Sequence, residues 1–439
     1  MSFFRPHYRA TTPRVSEPYN PRAIEQGESI DLETQPTVQP KHRHKLFHRA
    51  TSIFAAALAV RLLAVAYLAH VHPQMIAWAF NEQGVVARSI VTTHSFSSPY
   101  HDAHGPTAWL GPVYPAIVAV VFLVFGVQSY ASALAILAFN ALCSAATGVV
   151  VYQLGKEAHS EKAGCCAGWM WAVSPNLVIF PLIVWDTSLS ALFLASATLL
   201  TLRLRSAKAI AWAVCGALWG VAALLNPALL APLPLLALML AKQWKHILLL
   251  ALVAIAIISP WIIRNYVVFH KLIPIRSNGW AEVYFANGGV AHHPILKSME
   301  YQRLGEITFT AEANRRAVEY IRTHPGDFLR DSLQRAESFW LGPPTFTPWT
   351  LAIDVAALAG LILVFRTLRP IALQLLVVLV AYPLIFYACL PISRYRHPID
   401  PVLYALAGIA IVGMSSSERL SPSWVGNQQG KSMLECLRK

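Results

Sequence analysis

Long apolar stretches alternate with short polar ones along most of the chain. Runs such as Ile247–Ile258 and Leu373–Leu390 contain no charged residue, and a helix that crosses a bilayer needs about 20 mostly apolar residues. Runs of this kind occupy 52–72, 109–126, 130–153, 165–184, 187–203, 209–225, 228–241, 247–263, 349–366, 371–390 and 398–414. The pattern predicts an all-α polytopic membrane protein. Two intervening stretches, 73–108 and 264–348, are long and polar. Within the second, Ala311 to Ile321 has helical spacing and meets a stop at His324-Pro325-Gly326. Phe328, Leu329, Leu333, Ala336 and Phe339-Trp340 recur at the same spacing and predict a second helix from Asp327 to Trp340. No repeat of fixed period is present.

Composition agrees with the pattern. Of 439 residues, 56% are hydrophobic and 13% charged, about half the charged share of a soluble domain, roughly 25%. The net charge of +13 sits in the tails and between apolar runs, which suits loops against anionic lipid. No basic stripe falls on a soluble domain, so nucleic-acid binding is set aside. Six cysteines are present with no CxxC, and they read as small core residues.

Lys and Arg in short loops orient the spans. Lys41, Arg43, Lys45 and Arg49 put the N-terminus in the cytoplasm, and so 73–108 outside. Arg203, Arg205 and Lys208 mark one cytoplasmic loop, and Lys242 and Lys245 another, which leaves the hairpin tip Asn226-Pro227 outside. The run 247–263 then leads out, making 264–348 external. Arg366 and Arg369 are cytoplasmic, and Ser393–Pro398 is external again. Counting from the two ends puts Asp186 on opposite sides, so one run does not cross. The run 109–126, broken by Pro112 and Pro115, is the candidate. The expected organisation is a disordered cytoplasmic tail (1–48), a transmembrane module (49–263), an external segment (264–348), C-terminal spans (349–414) and a cytoplasmic tail (415–439).

The chain has no GxGxxG after a strand, GxxxxGK[ST], HExxH or GxSxG, so a P-loop and a serine-hydrolase elbow are excluded. Three places carry candidate chemistry. Glu82, just past the first span, is either a general base at the membrane boundary or a solvated loop acid. Asp186 is the sole acid between Glu161 and Glu282. A lone acid between apolar runs is costly unless paired, hydrated or at a boundary, and capping the helix that starts at Thr187 is the bland alternative. Ser393-Arg394-Tyr395-Arg396-His397-Pro398 places two arginines outside, against the positive-inside trend. A lipid phosphate would explain them, as would snorkelling to headgroups. Arg264-Asn265, Arg276-Ser277-Asn278-Gly279 and Asn287-Gly288 hold further polar residues, with turn formation the first reading of the Asn-Gly pairs. His292-His293 is a poor metal pair, because adjacent side chains point apart. Trp109 and Tyr114, in the rigid entry Gly105–Pro115, suit an interfacial aromatic belt.

These elements come in a familiar order: Glu82 in the first external loop, Phe96-Ser97-Ser98-Pro99, Gly105–Pro115, Trp185-Asp186-Thr187-Ser188-Leu189, Pro260–Asn265, Asn287-Gly288, and Arg394–Pro398. Over about residues 50–415 the chain resembles bacterial GT-C membrane glycosyltransferases of the family-39-like group, distant kin of protein O-mannosyltransferases and aminoarabinose transferases. The resemblance implies a GT-C-like bundle of about 10–11 transmembrane helices in a bacterial inner (plasma) membrane, with the active site facing the periplasm. It implies transfer of a sugar from a polyprenyl-phosphate donor to an acceptor hydroxyl. Glu82 and, less securely, Asp186 take the catalytic positions; Arg394, Tyr395 and Arg396 bind the lipid phosphate; Arg264, Asn265 and Asn287 contact substrate. Many relatives have an Asp-Glu pair where this chain has Asn81-Glu82, so no obligatory cofactor is expected and a divalent metal has no support in the sequence. The rival readings are a secondary transporter, which would show inverted repeats that are not seen here, a lipid-linked polysaccharide ligase or polymerase, and a non-catalytic scaffold.

Overall fold

The computed structural model describes residues 40–77, 80–100, 105–287, 294–389 and 392–415. The expectations for residues 1–39, for His292-His293, for Cys436 and for the tail from 416 lie outside the described residues. The chain divides into units 1–46 and 47–439. In the first, residues 40–46 begin the helix Pro40–Val71. The second holds every later element.

Every apolar run becomes helix. Among the described residues, seven helices are long and apolar enough to cross a membrane: His48–Val71, Tyr130–Ala158, Thr187–Ser206, Ala241–Phe269, Pro344–Thr367, Arg369–Tyr387 and Ser393–Ser415. An eighth candidate is bent by 59° between Glu161–Val173 and Pro175–Leu182. Pro175 causes the bend. Its ring disfavours helical geometry in the preceding residue, and Ser174 is accordingly extended. Three shorter apolar helices, Val113–Phe125, Ala209–Leu225 and Pro227–Met239, complete the set. The first, with 13 residues, reaches only about 20 Å at 1.5 Å per residue, short of a hydrocarbon core of about 30 Å.

The bundle is built around its last helix. Asp400–Ser415 packs on Thr347–Thr367, Glu161–Val173 and Tyr130–Ala158, and the span that contains it is 72% buried, against 11% for Ala241–Phe269. Lipid tails are as apolar as leucine, so helices in a bilayer associate through close backbone approach rather than hydrophobic drive. Gly360 and Gly408 supply that approach. A Cβ at Gly360 would lie 1.9 Å from the Leu406 carbonyl oxygen, and one at Gly408 would lie 2.7 Å from Ala167. The peripheral Ala241–Phe269 instead turns Leu252, Ile255, Ile263 and Val267 outward, as a lipid-facing helix does.

The polar segment after residue 264 folds into four helices, Gly279–Asn287, Pro294–Leu304, Glu306–Thr323 and Pro325–Leu341. Both helices expected from spacing are present and longer than their apolar pattern. Pro325 ends nothing by itself; it opens the last helix at its first position, where a missing N–H costs no bond. Trp109 corrects the interfacial-belt expectation. It is fully buried and, with Tyr301, Phe309, Phe285 and Ala313, forms the core of this helical cap. Tyr114 is buried as well.

Candidate functional site

A cavity of about 630 Å³ lies where the cap meets the bundle, lined by Glu82, Asp186, Arg276, Glu282, Arg394 and Tyr395 among others. Residues far apart in sequence converge there, and the local bonds show how.

Glu82 opens the helix Glu82–Thr93, with Asn81 as its cap. Asn81 Oδ1 accepts from the Gln83 N–H at 3.2 Å, and its Nδ2 donates to the Val184 carbonyl at 3.2 Å. One residue thus starts the Glu82 helix and ties it to the connection that carries Asp186. That connection is anchored again by Asn140, whose Nδ2 donates to the Ile183 carbonyl at 2.8 Å and whose Oδ1 accepts from the Tyr114 hydroxyl at 3.2 Å. Glu82 is half-buried, and a carboxylate in the first turn is favoured by the helix dipole.

Asp186 is 3% exposed. It occupies the cap position of Thr187–Arg203, yet its side chain makes no capping bond, so the bland reading of this acid fails. Its Oδ2 lies 3.8 Å from Arg276 Nη2 and accepts weakly from Ser190 Oγ at 3.4 Å. Burial pushes its carboxyl above the usual range, while the charges of Arg276 and Arg394 pull it back.

Arg276 is held by a clamp. Its Nη2 donates to the Leu225 carbonyl at 2.8 Å. The next residue, Ser277, donates its N–H to the Ala108 carbonyl at 2.9 Å and its hydroxyl to Glu306 Oε1 at 2.7 Å. Buried Glu306 also accepts from the Ala108 N–H at 2.7 Å, the Tyr301 hydroxyl at 2.6 Å and the Thr107 hydroxyl. A carboxylate with four donors is fully satisfied, and this one joins the Gly105–Pro115 entry, the Arg276 turn and the cap. Gly111 lets the entry pass close to the bundle, since a Cβ there would sit 2.1 Å from the Leu224 carbonyl oxygen.

Arg394 stands in the turn Ser393–Tyr395, with its guanidinium carbon 3.9 Å from the Trp185 ring centroid. The ring beside Asp186 therefore fixes the plane of the arginine. Tyr395 stacks on Phe386 at 4.6 Å. Tyr382, Ile385, Phe386 and Ile392 give the cavity an apolar wall, and Asn226, the expected hairpin tip, lines it too.

Four expected site residues fall elsewhere. Arg396 points away into a buried ionic cluster. Its Nη2 lies 2.6 Å from Asp354 Oδ1 and its Nε 3.1 Å from Asp400 Oδ1, and it donates to the Trp340 carbonyl. Its charge is met inside the protein. Arg264 donates to the Thr107 carbonyl at 2.7 Å and the Phe96 carbonyl at 3.0 Å, and Asn265 to the Ile273 carbonyl at 3.0 Å. Arg264 thus ties down the entry segment, while Asn265 holds the turn after Ala241–Phe269 and accepts from Arg264. Asn287 donates to the Ala388 carbonyl at 3.0 Å and accepts from Arg335 Nη2 at 2.7 Å. It joins two walls of the cavity without lining it. Conversely, Arg276, noted only among further polar residues, and Glu282 and Tyr382, not singled out, line the cavity. Arg276 shared the signal that singled out Arg394, a basic residue in a loop expected to be external, and the adjacent Asn-Gly turn masked it.

A family model described as dolichyl-phosphate-mannose-protein mannosyltransferase matches residues 105–263. That stretch includes Asp186 but not Glu82, Arg276 or Arg394. No curated protein matches significantly. Several solved structures do. The oligosaccharyltransferase AglB of Archaeoglobus fulgidus, in complex with an inhibitory peptide and a dolichol-phosphate, is 15% identical with a TM-score of 0.53, covering 91% of this chain and 55% of its own. An apo form of the Archaeoglobus fulgidus oligosaccharyltransferase gives 16%, 0.51, 88% and 52%. ArnT from Cupriavidus metallidurans bound to undecaprenyl phosphate gives 16%, 0.50, 88% and 63%. The chain thus spans between half and two thirds of these proteins. At such identities the likeness is one of fold, and the fold is the GT-C-like one that the sequence resembles.

Proposed function

We propose that this GT-C-like membrane protein transfers a sugar from a polyprenyl-phosphate donor to an acceptor hydroxyl, in the cavity between bundle and cap, at the outer face of a bacterial plasma membrane. One observation carries the reading: a half-buried carboxylate, Glu82, and two arginines, Arg276 and Arg394, face one cavity with an apolar wall.

In this reading Glu82 takes the proton of the acceptor hydroxyl as its oxygen attacks the anomeric carbon. The bond from that carbon to the phosphate oxygen breaks, and the electron pair leaves with the lipid phosphate. Arg276 and Arg394 meet the charge that develops there, the kind of preorganised electrostatic stabilisation that lowers a barrier by several kcal/mol. Arg276 takes the part first expected of Arg396. The Leu225 carbonyl holds Arg276 in place and Asp186 tempers its charge, and Tyr382, Ile385, Phe386 and Ile392 give the first isoprene units an apolar surface. A single displacement inverts the anomeric centre.

The test is transfer by purified protein in proteoliposomes supplied with polyprenyl-phosphate sugars. Glu82→Gln keeps the shape of the side chain and removes the base, so transfer should be lost while polyprenyl-phosphate binding persists. Near-native turnover in that variant would leave Glu82 a loop acid and remove the mechanism.

A further inference from the structure

We infer that Asp186 sets the charge of the cavity's basic end, so that the site discriminates a singly charged phosphodiester from a doubly charged phosphomonoester. This rests on the lipid-phosphate reading of the cavity and adds a step to it, the release of product.

The geometry of Asp186 is that of a residue kept for its charge. It caps no helix, accepts one weak bond from Ser190 and stands 3.8 Å from Arg276 Nη2, beyond hydrogen-bond range but in Coulomb contact. Arg276 and Arg394 both line the cavity. The Nε–H of each is buried without an acceptor among the described residues. Asp186 offsets one of the two guanidinium charges. The other carboxylates on the cavity wall are Glu82 and Glu282; Glu282 also opposes a second negative charge on the ligand, and so does Glu82 whenever it is ionised. The phenols Tyr382 and Tyr395 and the thiol of Cys389 complete the ionisable lining.

Charge decides because two costs scale differently. Attraction to a fixed site grows with the ligand's charge, whereas the cost of desolvating the ligand grows with the square of that charge. A site whose two guanidiniums are offset by carboxylates therefore suits a monoanion better than a dianion. The donor is one, a phosphate with two ester bonds. When the anomeric carbon leaves, the phosphate keeps the electron pair, Glu82 holds the acceptor's proton, and the lipid phosphate becomes a monoester with a second pKa of about 6. Above that pH the product carries two charges and fits the cavity worse than the donor did.

The experiment compares polyprenyl phosphate with its methyl ester of the same chain length. Both are titrated into the full-length protein in nanodiscs, at pH 8 and matched ionic strength. Wild type should bind the diester more tightly. Asp186→Asn and Asp186→Ser should each raise affinity for the monoester about tenfold and for the diester less than about threefold, since removing the carboxylate relieves the second charge most. A monoester-to-diester ratio left at the wild-type value by both variants overturns the inference, as does a wild type that prefers the monoester. A wild type that binds neither lipid overturns the donor reading itself, a separate failure.

Discussion

Arg394 and Arg396 are two residues apart in one stretch of turns, and the protein uses them in opposite ways. Around Arg396, Asp354, Asp400 and the Trp340 carbonyl satisfy the guanidinium, and His397 Nδ1 sits 3.1 Å from Asp400 Oδ2. Around Arg394, the Trp185 ring centroid lies 3.9 Å from the guanidinium carbon and the residue lines the cavity. A buried charge with a complete set of partners holds the fold together. A charge with incomplete partners on a cavity wall is available to a ligand. The same contrast separates Arg335, which donates to the Tyr387 carbonyl, the Ala286 carbonyl and Asn287, from Arg276, whose Nε–H lacks an acceptor among the described residues.

The contrast can be broken most strongly at Arg396. Arg396→Met leaves half-buried Asp354 without its ion-pair partner and buried Asp400 with only His397, and breaking a buried pair costs about 3–5 kcal/mol. Thermal unfolding in detergent should fall sharply, and Asp354→Asn should also lower it. If the Arg396 variant is as stable as wild type and loses lipid-phosphate affinity instead, the two arginines have been assigned the wrong way round.

Arg394 is next. Arg394→Ala should leave the unfolding midpoint near the wild-type value and weaken polyprenyl-phosphate binding by about 1.5–3 kcal/mol, the scale of a hydrogen bond to a charged group. Lys at this position keeps the charge but loses the planar fork, so its loss should be smaller. The same series at Arg276 should run in parallel. Equal affinity across all these variants would make the arginines headgroup anchors.

Trp185→Leu sharpens the comparison on a smaller scale. Removing the ring frees the guanidinium, and a cation–π contact of this kind contributes about 0.5–2 kcal/mol. Affinity for the lipid phosphate should drop by that amount in the Arg394 background and not at all in Arg394→Ala. Additive losses would mean that the ring acts on something else.

The smallest perturbation tests orientation. Ser298→Cys, on the cap helix Pro294–Leu304, should leave stability and transfer unchanged. In intact cells stripped of any outer membrane it should react with an impermeant thiol reagent. Labelling only after the plasma membrane is permeabilised would invert the topology and move the cavity to the cytoplasm.

What could be read from the sequence divides along physical lines. Apolar runs, helical spacing and proline punctuation are local properties, and they determined the helices of the bundle, the two long helices of the cap and the polytopic class. The first residues of the site were legible for the same reason. A carboxylate beside an apolar run, or an arginine in an external loop, is anomalous where it stands, and Glu82, Asp186 and Arg394 were found by that anomaly. Partners are not local. Nothing near Arg396 announces Asp354, forty-two residues away, nor does the sequence around Asn287 show Arg335. Trp109 looked interfacial because its burial comes from helices some two hundred residues later. Tertiary structure alone decided which anomalous charges are neutralised inside the protein and which face the cavity, because a charge's cost and use depend on the groups that fold places around it.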